Sequence, residues 1–413
     1  MRKLYLLTLT FPCGNKESFL ENEMTFFNVF DKVVIFPLFS NENAAISLPT
    51  NVEYKKITPF KKRKWLIPFY FIKFLLTSKI VLQETLGIFK QGLSFKKLYT
   101  MTLMMSRSHH FSSAIYQAIC GDTLESSDDE LYLYSYWMEE PALTAVLLTK
   151  RMSFEKVVSR AHSYDLYEER SPLRYIPFQH TVIKNLALVC PISQNGTDYL
   201  QQKFHSNNIV LSRLGTMDWG VENVVNKDKR RLVVVSCSYC IELKRIHLII
   251  DALRMINDME VKWIHFGGGE LYEELLHQTQ KLGKNIKCDF VGNKSNTEIL
   301  QYYKNHYIDL FLNVSSTEGI PVSIMEAMSF GIPVIATNVG GTSEIVINGE
   351  NGILLNKDFN VSELANCIRK FGSMSSEEAY YLRKNARIIW ERDFFAKENY
   401  PKFFNMIIQK CQN

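Results

Sequence analysis

Two carboxylates, Glu318 and Glu326, stand eight positions apart in VSSTEGIPVSIMEAMSFG, on either side of a Gly-Ile-Pro break. The apolar run LFLNV (310–314) before them reads as a buried strand. Pro321 stands where a helix begins, because its fixed φ suits a first turn and its missing donor is not needed there. Val322, Ile324, Met325 and Met328 recur at helical spacing, Gly331 ends the helix, and PVIAT opens another strand. One carboxylate is thereby set in a loop and the other in a helix's second turn, near a terminus whose free N–H groups favour anions. Carboxylates accept hydrogen bonds from hydroxyls, and backbone N–H groups donate to phosphate oxygens. The chemistry on offer is holding a phosphate and ring hydroxyls together.

Two further features in the same half suit such a ligand. Lys244 supplies a compact positive charge, which fits a diphosphate. Gly267, Gly268 and Gly269 end the run VKWIHF and permit a tight turn with close backbone approach. Taken singly, Glu326 reads as a solvated helix residue, Lys244 as a surface charge and the glycines as a plain turn. In this order and spacing they point to a nucleotide sugar. In the first half, His162 stands at the carboxyl end of the run VVSRAH, where ligands of open α/β sheets collect. A lone histidine is otherwise a satisfied polar residue of core or surface.

The elements that must position these residues alternate strand and helix along the whole chain. In the first half, strands are expected at 3–10, 33–38, 52–57, 131–137, 157–162 and 187–193, with helices at 19–30, 94–120, 141–151 and around Tyr199. The FPCGNKES loop follows the first strand, and SSDDE (126–130) is a polar loop. RLGTMDWG (213–220) and the polar NKDKRR (226–231) lead into a second series. That series takes LVVVS, a helix begun by Lys244 and Arg245, VKWIHF, CDFVGN, the helix TEILQYYKN, IDLFLNV and PVIAT. Such alternation makes parallel sheets covered by helices. The fold class expected is α/β, with two Rossmann-like domains. The expected boundaries are 1–215, 216–395, and a C-terminal helix in 396–413 that packs back on the first domain.

Composition narrows the class further. At 413 residues, with 46% hydrophobic and 22% charged residues, the chain reads as a soluble protein with two substantial cores. A net charge of +5 favours anionic ligands only mildly, and no nucleic-acid partner is expected. The Cys-x-x-Cys at Cys237 and Cys240 has no second pair, so neither zinc nor a disulfide framework is expected, and the setting is a reduced cytoplasm. Nowhere do eighteen uncharged apolar residues run together, so no spanning helix is expected. The stretch KKRKWLIPFYFIKFLL (61–76) has two readings. It is a helix with a solvated basic end and packed rings, or a membrane-surface element that sets Trp65, Phe69, Tyr70 and Phe71 among headgroups.

Residues 232–355 resemble the donor-binding domain of retaining glycosyltransferases of the GT-B fold, family GT4. The segments that carry the likeness are LKRIHLIIDAL, HFGGGELYEEL, VGNKSNTEILQYY, STEGIPVSIMEAMSFGIPVIATNVGGTSEIV and NGENGILL, with the Glu-x7-Glu pair the most specific. FPCGNKESFLENE and SRAHSYDLYEER make the first half similar to members that build bacterial capsules, exopolysaccharides or O-antigens. The resemblance implies an N-terminal acceptor domain and a C-terminal donor domain whose sheets face an interdomain cleft. It implies that Glu326 binds the ribose and that Glu318 contacts the transferred sugar. Backbone N–H groups of Gly319, Ile320 and Val322 would face sugar and phosphate. Lys244 would neutralise the diphosphate, and backbone at Val291 and Gly292 would hold the base, near the Gly267 turn. Gly14 would approach the donor phosphate, and His162 would lie near the reacting carbon.

The implied chemistry retains the anomeric configuration and needs no metal or cofactor beyond the nucleotide-sugar substrate. The implied acceptor is a polyprenyl-linked saccharide, handled by a cytoplasmic protein peripheral to the inner face of the plasma membrane. One departure stands out: many members carry an Arg before the phosphate-binding Lys, where this chain has Ser236-Cys237-Ser238. Arg245 is the substitute at hand, although adjacent helix positions diverge by about 100°. Competing readings are an epimerase or phosphorylase of the same fold, and a non-catalytic partner of an active transferase.

Overall fold

In the computed structural model, all residues are described except 15, 16, 18, 41, 45, 62–63, 122–128, 221–230 and 410–413. Parts of several sequence features therefore lie outside the described residues. These are Lys62 and Arg63 of the basic run, Asn15, Lys16 and Ser18 of the first loop, Ser126, Ser127 and Asp128, most of NKDKRR, and Cys411. The chain forms two compact units, one of 1–212 with 400–413, the other of 213–399.

The first unit is built on a parallel six-stranded sheet. Its strands are β1 (Arg2–Thr8), β2 (Lys32–Pro37), β3 (Val52–Tyr54), β4 (Glu130–Ser135), β5 (Lys156–Ala161) and β6 (Leu188–Pro191), in the order β3-β2-β1-β4-β5-β6. Helices cover the sheet on both faces, so β1 reads as a continuous apolar run, buried from Lys3 to Thr8. The second unit repeats the plan with β7 (Arg231–Cys237), β8 (Glu260–Phe266), β9 (Ile286–Gly292), β10 (Leu310–Asn313), β11 (Val334–Thr337) and β12 (Gly352–Leu355). Its order, β12-β11-β10-β7-β8-β9, is again a six-stranded order with the chain winding outward in both directions from the centre of the sheet. Both sheets therefore share the doubly wound Rossmann arrangement, as the alternating pattern predicts.

Several local expectations need correction. The helix expected at 19–30 is only Leu20–Met24, followed by a short 3-10 turn at Phe27–Val29. Lys244 and Arg245 do not open a helix. Lys244 closes a 3-10 turn, Arg245 is left-handed at φ 50°, and the helix begins at Ile246.

The aromatic stretch divides between its two readings. It forms the helix Ile67–Thr77, followed after a 109° bend by Lys79–Lys90, and no single helix among the described residues is long and apolar enough to cross a membrane. Ile67 and Phe74 are buried, and Tyr70 and Phe71 pack against the core. Trp65, Phe69, Ile72 and Leu76 face outward, as do Leu82, Leu86 and Phe89 of the second helix.

The last helix, Ala396–Ile408, inserts its aromatic residues into the first unit. Phe404 sits edge-on to Phe27 and Phe30, and Phe403 lies 3.8 Å from the Arg160 guanidinium. Lys156 Nζ donates to the carbonyls of Met406 and Gln409, closing the helix's carboxyl end.

Candidate functional site

In the second unit, β7 and β10 lie side by side, but the chain leaves them in opposite directions, toward β8 and toward β11. The loops after their carboxyl ends part at this switch in winding, which is where open α/β sheets hold ligands. Lys244 stands on the first loop and Glu318 on the second. Their side chains meet, with Lys244 Nζ 2.6 Å from Glu318 Oε1, and Asn313 Nδ2 is 3.4 Å from the same oxygen.

The two loops are also tied through their backbones. Ser316 N donates to Leu243 O over 2.8 Å, and from the end of β11 the Thr337 hydroxyl also holds the second loop, donating to Ser315 O over 2.5 Å. Arg245 completes the tie. Its guanidinium donates to the carbonyls of Val314 (2.7 Å), Ser315 (3.2 Å) and Lys357 (2.8 Å). Arg245 thus anchors the segment that carries Glu318, and its left-handed backbone separates it from Lys244.

The helix after Glu318 runs Val322–Ser329, one residue later than Pro321 alone suggests, with Pro321 as its N-cap. No side chain caps this end, so its first N–H groups are available to an anion. Gly319 accepts from Gly341 N over 2.7 Å, which couples the loop to the Gly-Gly turn after β11. Ile320 is buried beneath the loop. Gly331, at φ 66°, ends the helix as expected.

Glu326, in the helix's second turn, is buried, and Asn296 Nδ2 donates to its Oε1 over 2.5 Å. Burial pushes the Glu326 carboxyl up to about 7, and the Asn296 bond offsets part of the rise. Cys237, at the end of β7, lies close enough to Glu326 and Lys244 for both to act on its thiol. Burial and the nearby Glu326 push its thiol up to about 12, while Lys244 pulls it down. The segment where an arginine was expected therefore presents a neutral thiol instead of a fixed positive charge.

The glycine turn meets the same loop. A Cβ on Gly267 (φ +137°) would lie 1.9 Å from Ser238 O, and one on Gly269 (φ +152°) would lie 2.6 Å from Cys240 O. Only glycine allows this approach. Gly267 N donates to Gly292 O over 2.9 Å, bringing Val291 and Gly292 beside the turn, with Val291 exposed. Below it, Ser236 Oγ bridges Trp263 Nε1 and His265 Nδ1 at 2.9 and 2.8 Å. Burial lowers His265 to about 4, so this histidine is a neutral part of the core.

The first unit has its own switch in winding, between β1 and β4. Gly14 follows β1 in a loop bound to the Glu17 carboxylate. That carboxylate accepts from the backbone N–H of Leu9 (3.1 Å), Thr10 (2.6 Å) and Phe11 (2.8 Å), and from Trp137 Nε1 (2.6 Å). Trp137 and Tyr136, after β4, pack tilted against His162, with ring centroids 4.4 and 4.6 Å away. His162 follows β5 and is buried. Neither ring nitrogen makes a hydrogen bond among the described residues, and Nδ1 is 3.8 Å from Asp165 Oδ2. Asp165 accepts from the backbone N–H of both His162 and Met138 at 2.8 Å, joining the β4 and β5 loops.

The structure thus brings Lys244, Glu318, Glu326, the 267–269 turn and Gly292 together in one unit, and Gly14 and His162 into neighbouring loops of the other. Reading the sequence missed Asn296, Glu17, Trp137 and Asp165. For Asn296 a signal exists: Ser295 and Glu298 form a capping box that starts the helix at Asn296, one residue before the expected Thr297.

Residues 220–388 match the family described as "Glycosyl transferases group 1". WcaL of Escherichia coli K12, named as a putative glycosyltransferase of colanic acid biosynthesis, is 25% identical over 290 residues, covering 68% of this chain and 70% of that protein. Among solved structures, the lipopolysaccharide outer core galactosyltransferase WaaB in its apo form superposes with a TM-score of 0.68 at 16% identity, covering 99% of both chains. HepE of Anabaena in complex with UDP-glucose gives 0.61 at 16% identity and 98% of both chains. These structural likenesses establish the GT-B fold. Residues 220–388, which hold the Lys244, Glu318 and Glu326 constellation, are the part of the chain that matches the group 1 glycosyl transferases.

Proposed function

We propose that this chain is a retaining, GT4-like glycosyltransferase that moves a sugar from a nucleotide-diphosphate donor to a lipid-linked saccharide in bacterial surface polysaccharide synthesis. The observation that carries the proposal is the Lys244–Glu318 contact of 2.6 Å at the β7/β10 switch, with buried Glu326 on the following helix. In this reading Glu326 and Asn296 hold the ribose hydroxyls, and backbone at Val291 and Gly292 holds the base. The diphosphate draws Lys244 Nζ, while Glu318 turns to a hydroxyl of the transferred sugar. The bond from the anomeric carbon to the phosphate oxygen breaks, and a bond to the acceptor hydroxyl forms on the same face. The acceptor's proton passes to the departing diphosphate. Lys244 and the free N–H groups of the helix Val322–Ser329 stabilise the charge that develops there. Fixed donors aimed at developing charge make the greatest contribution to catalysis in such a site. This set of donors assigns the role to protein groups, and no metal is required in the proposal.

The first unit takes the acceptor, with His162 near the reacting centre and Gly14 near the donor phosphate. The names of WcaL and WaaB support a polysaccharide or lipopolysaccharide product, and the UDP-glucose complex of HepE supports a nucleotide-sugar donor. The outward residues of the bent helix pair, Trp65, Phe69, Ile72 and Leu76, with Lys61, Lys64 and Lys73 beside them, support contact with the anionic inner face of a membrane. A thermal-shift panel of nucleotide sugars on wild type and Lys244→Ala tests the reading. At least one donor should raise the wild-type midpoint, and the variant should respond less. A panel that moves neither protein would overturn it.

A further inference from the structure

A cavity of about 360 Å³ lies in the first unit, lined by none of the residues assigned above but bordering the Asp165 loop. Its position follows from the sheet: Glu139 comes four residues after β4 ends and Tyr164 three residues after β5 ends, so the cavity sits beyond the carboxyl ends of adjacent strands. Two of its polar groups are occupied. Arg107 Nη1 donates to Glu140 Oε1 over 2.8 Å, and the Tyr175 hydroxyl donates to Glu84 Oε1 over 2.6 Å. Glu139 differs. It precedes the helix Glu140–Leu148, yet its side chain caps no N–H and has no hydrogen-bond or ion-pair partner among the described residues. Burial pushes its carboxyl up to about 8, and neighbouring Asp165 and Glu140 add to the rise. Its carboxyl is partly buried and without a protein partner among the described residues, so a group entering the cavity can reach it and hydrogen-bond to it.

The lining indicates what enters. With Arg107 neutralised by Glu140, the cavity has no uncompensated cation to attract a phosphate or carboxylate ligand. Sugar hydroxyls both donate and accept, so they suit Glu139 in either protonation state. The exposed ring of Tyr164 and the apolar edges of Leu103 and Met104 offer surfaces for the C–H face of a ring. The volume falls at the small end of small-molecule sites.

We propose that this cavity is a subsite for an uncharged pyranose ring, anchored by Glu139. The inference deepens the reading of the first unit as the acceptor side, and rests on it for the claim that the ring belongs to the acceptor. The test is saturation-transfer NMR on the full chain with a panel of methyl hexopyranosides as probes. It compares wild type, Glu139→Met and Thr100→Trp; the last fills the cavity from a helix position whose hydroxyl bonds only Lys96 O of its own helix. At least one glycoside should bind wild type, and its signal should fall at least about fivefold in both variants while nucleoside-diphosphate affinity stays unchanged. Equal signals in all three proteins would overturn the proposal, as would no binding of any probe to wild type at about 10 mM. Loss of nucleotide binding by wild type would overturn the transferase reading instead, and leave a glycoside signal standing by itself.

Discussion

Replacing Glu326 by glutamine sets stability against ligand binding in opposite directions. Glutamine keeps the shape and can still accept from Asn296 Nδ2 at Oε1, but it carries no charge at any pH. The Glu326 carboxyl titrates near 7 in the fold instead of its ordinary 4.5, because burial disfavours the charged form. At ~1.36 kcal/mol for each tenfold change, that difference sets a ceiling of ~3 kcal/mol. The sign follows from proton uptake. Between pH 4.5 and 7 the folded chain holds a proton that the unfolded chain has released. The contribution of Glu326 to stability is therefore fully present below pH 4.5 and is lost as pH rises through 7. Glu326→Gln should match wild type near pH 5 and exceed it by ~1–3 kcal/mol at pH 8, since the site relaxes around the charge. Its affinity for a nucleoside diphosphate should nevertheless fall about 10–100-fold, through loss of charge-assisted bonds to the ribose. Unfolding midpoints at the two pH values, with titration calorimetry of the diphosphate, measure both quantities. A variant less stable than wild type at pH 8, or one that binds the nucleotide equally well, would refute the reasoning.

Other perturbations follow from single contacts. Gly267→Ala places a Cβ 1.9 Å from Ser238 O at a φ of +137°, so it should destabilise by ~3 kcal/mol or more, seen as a lower thermal midpoint. Arg245→Met frees three backbone carbonyls and loosens the Glu318 loop. It should raise donor KM about tenfold with a smaller change in kcat, whereas Lys244→Ala should mainly lower kcat. Trp65→Ser with Phe69→Ser removes two outward rings without touching buried Phe74. The pair should reduce co-sedimentation with anionic liposomes while leaving the thermal midpoint within about 1 °C, and unchanged co-sedimentation would count against membrane contact.

The alternation of strands and helices was legible because both sheets are parallel and buried, so their strands appear as unbroken apolar runs. Glu318 and Glu326 were legible because proline and glycine fix the loop and helix that hold them. What escaped depends on partners distant in sequence. Nothing local reveals that Arg245 adopts a left-handed backbone and reaches Lys357, 112 positions away. Nor does local pattern reveal that Glu17 binds Trp137 across 120 positions. The aromatic stretch 61–76 supported two readings because its helix has two faces, with Ile67 and Phe74 turned inward and Trp65 and Phe69 outward. The extent of the helix after Phe19 was misjudged for a related reason. Its apolar residues Leu20, Met24, Phe27 and Phe30 are all buried, but a 3-10 turn, not a continuous helix, delivers the last of them.

The central claim is that the Lys244, Glu318 and Glu326 constellation supports sugar transfer from a nucleotide donor with the anomeric configuration kept. Proton NMR of the first-formed product tests it most directly, using the donor identified by thermal shift and a saccharide acceptor, with EDTA present. An α-linked donor should give an α-linked product, with one nucleoside diphosphate released per bond formed. A β-linked product, or nucleotide binding with neither transfer nor hydrolysis, would contradict the account.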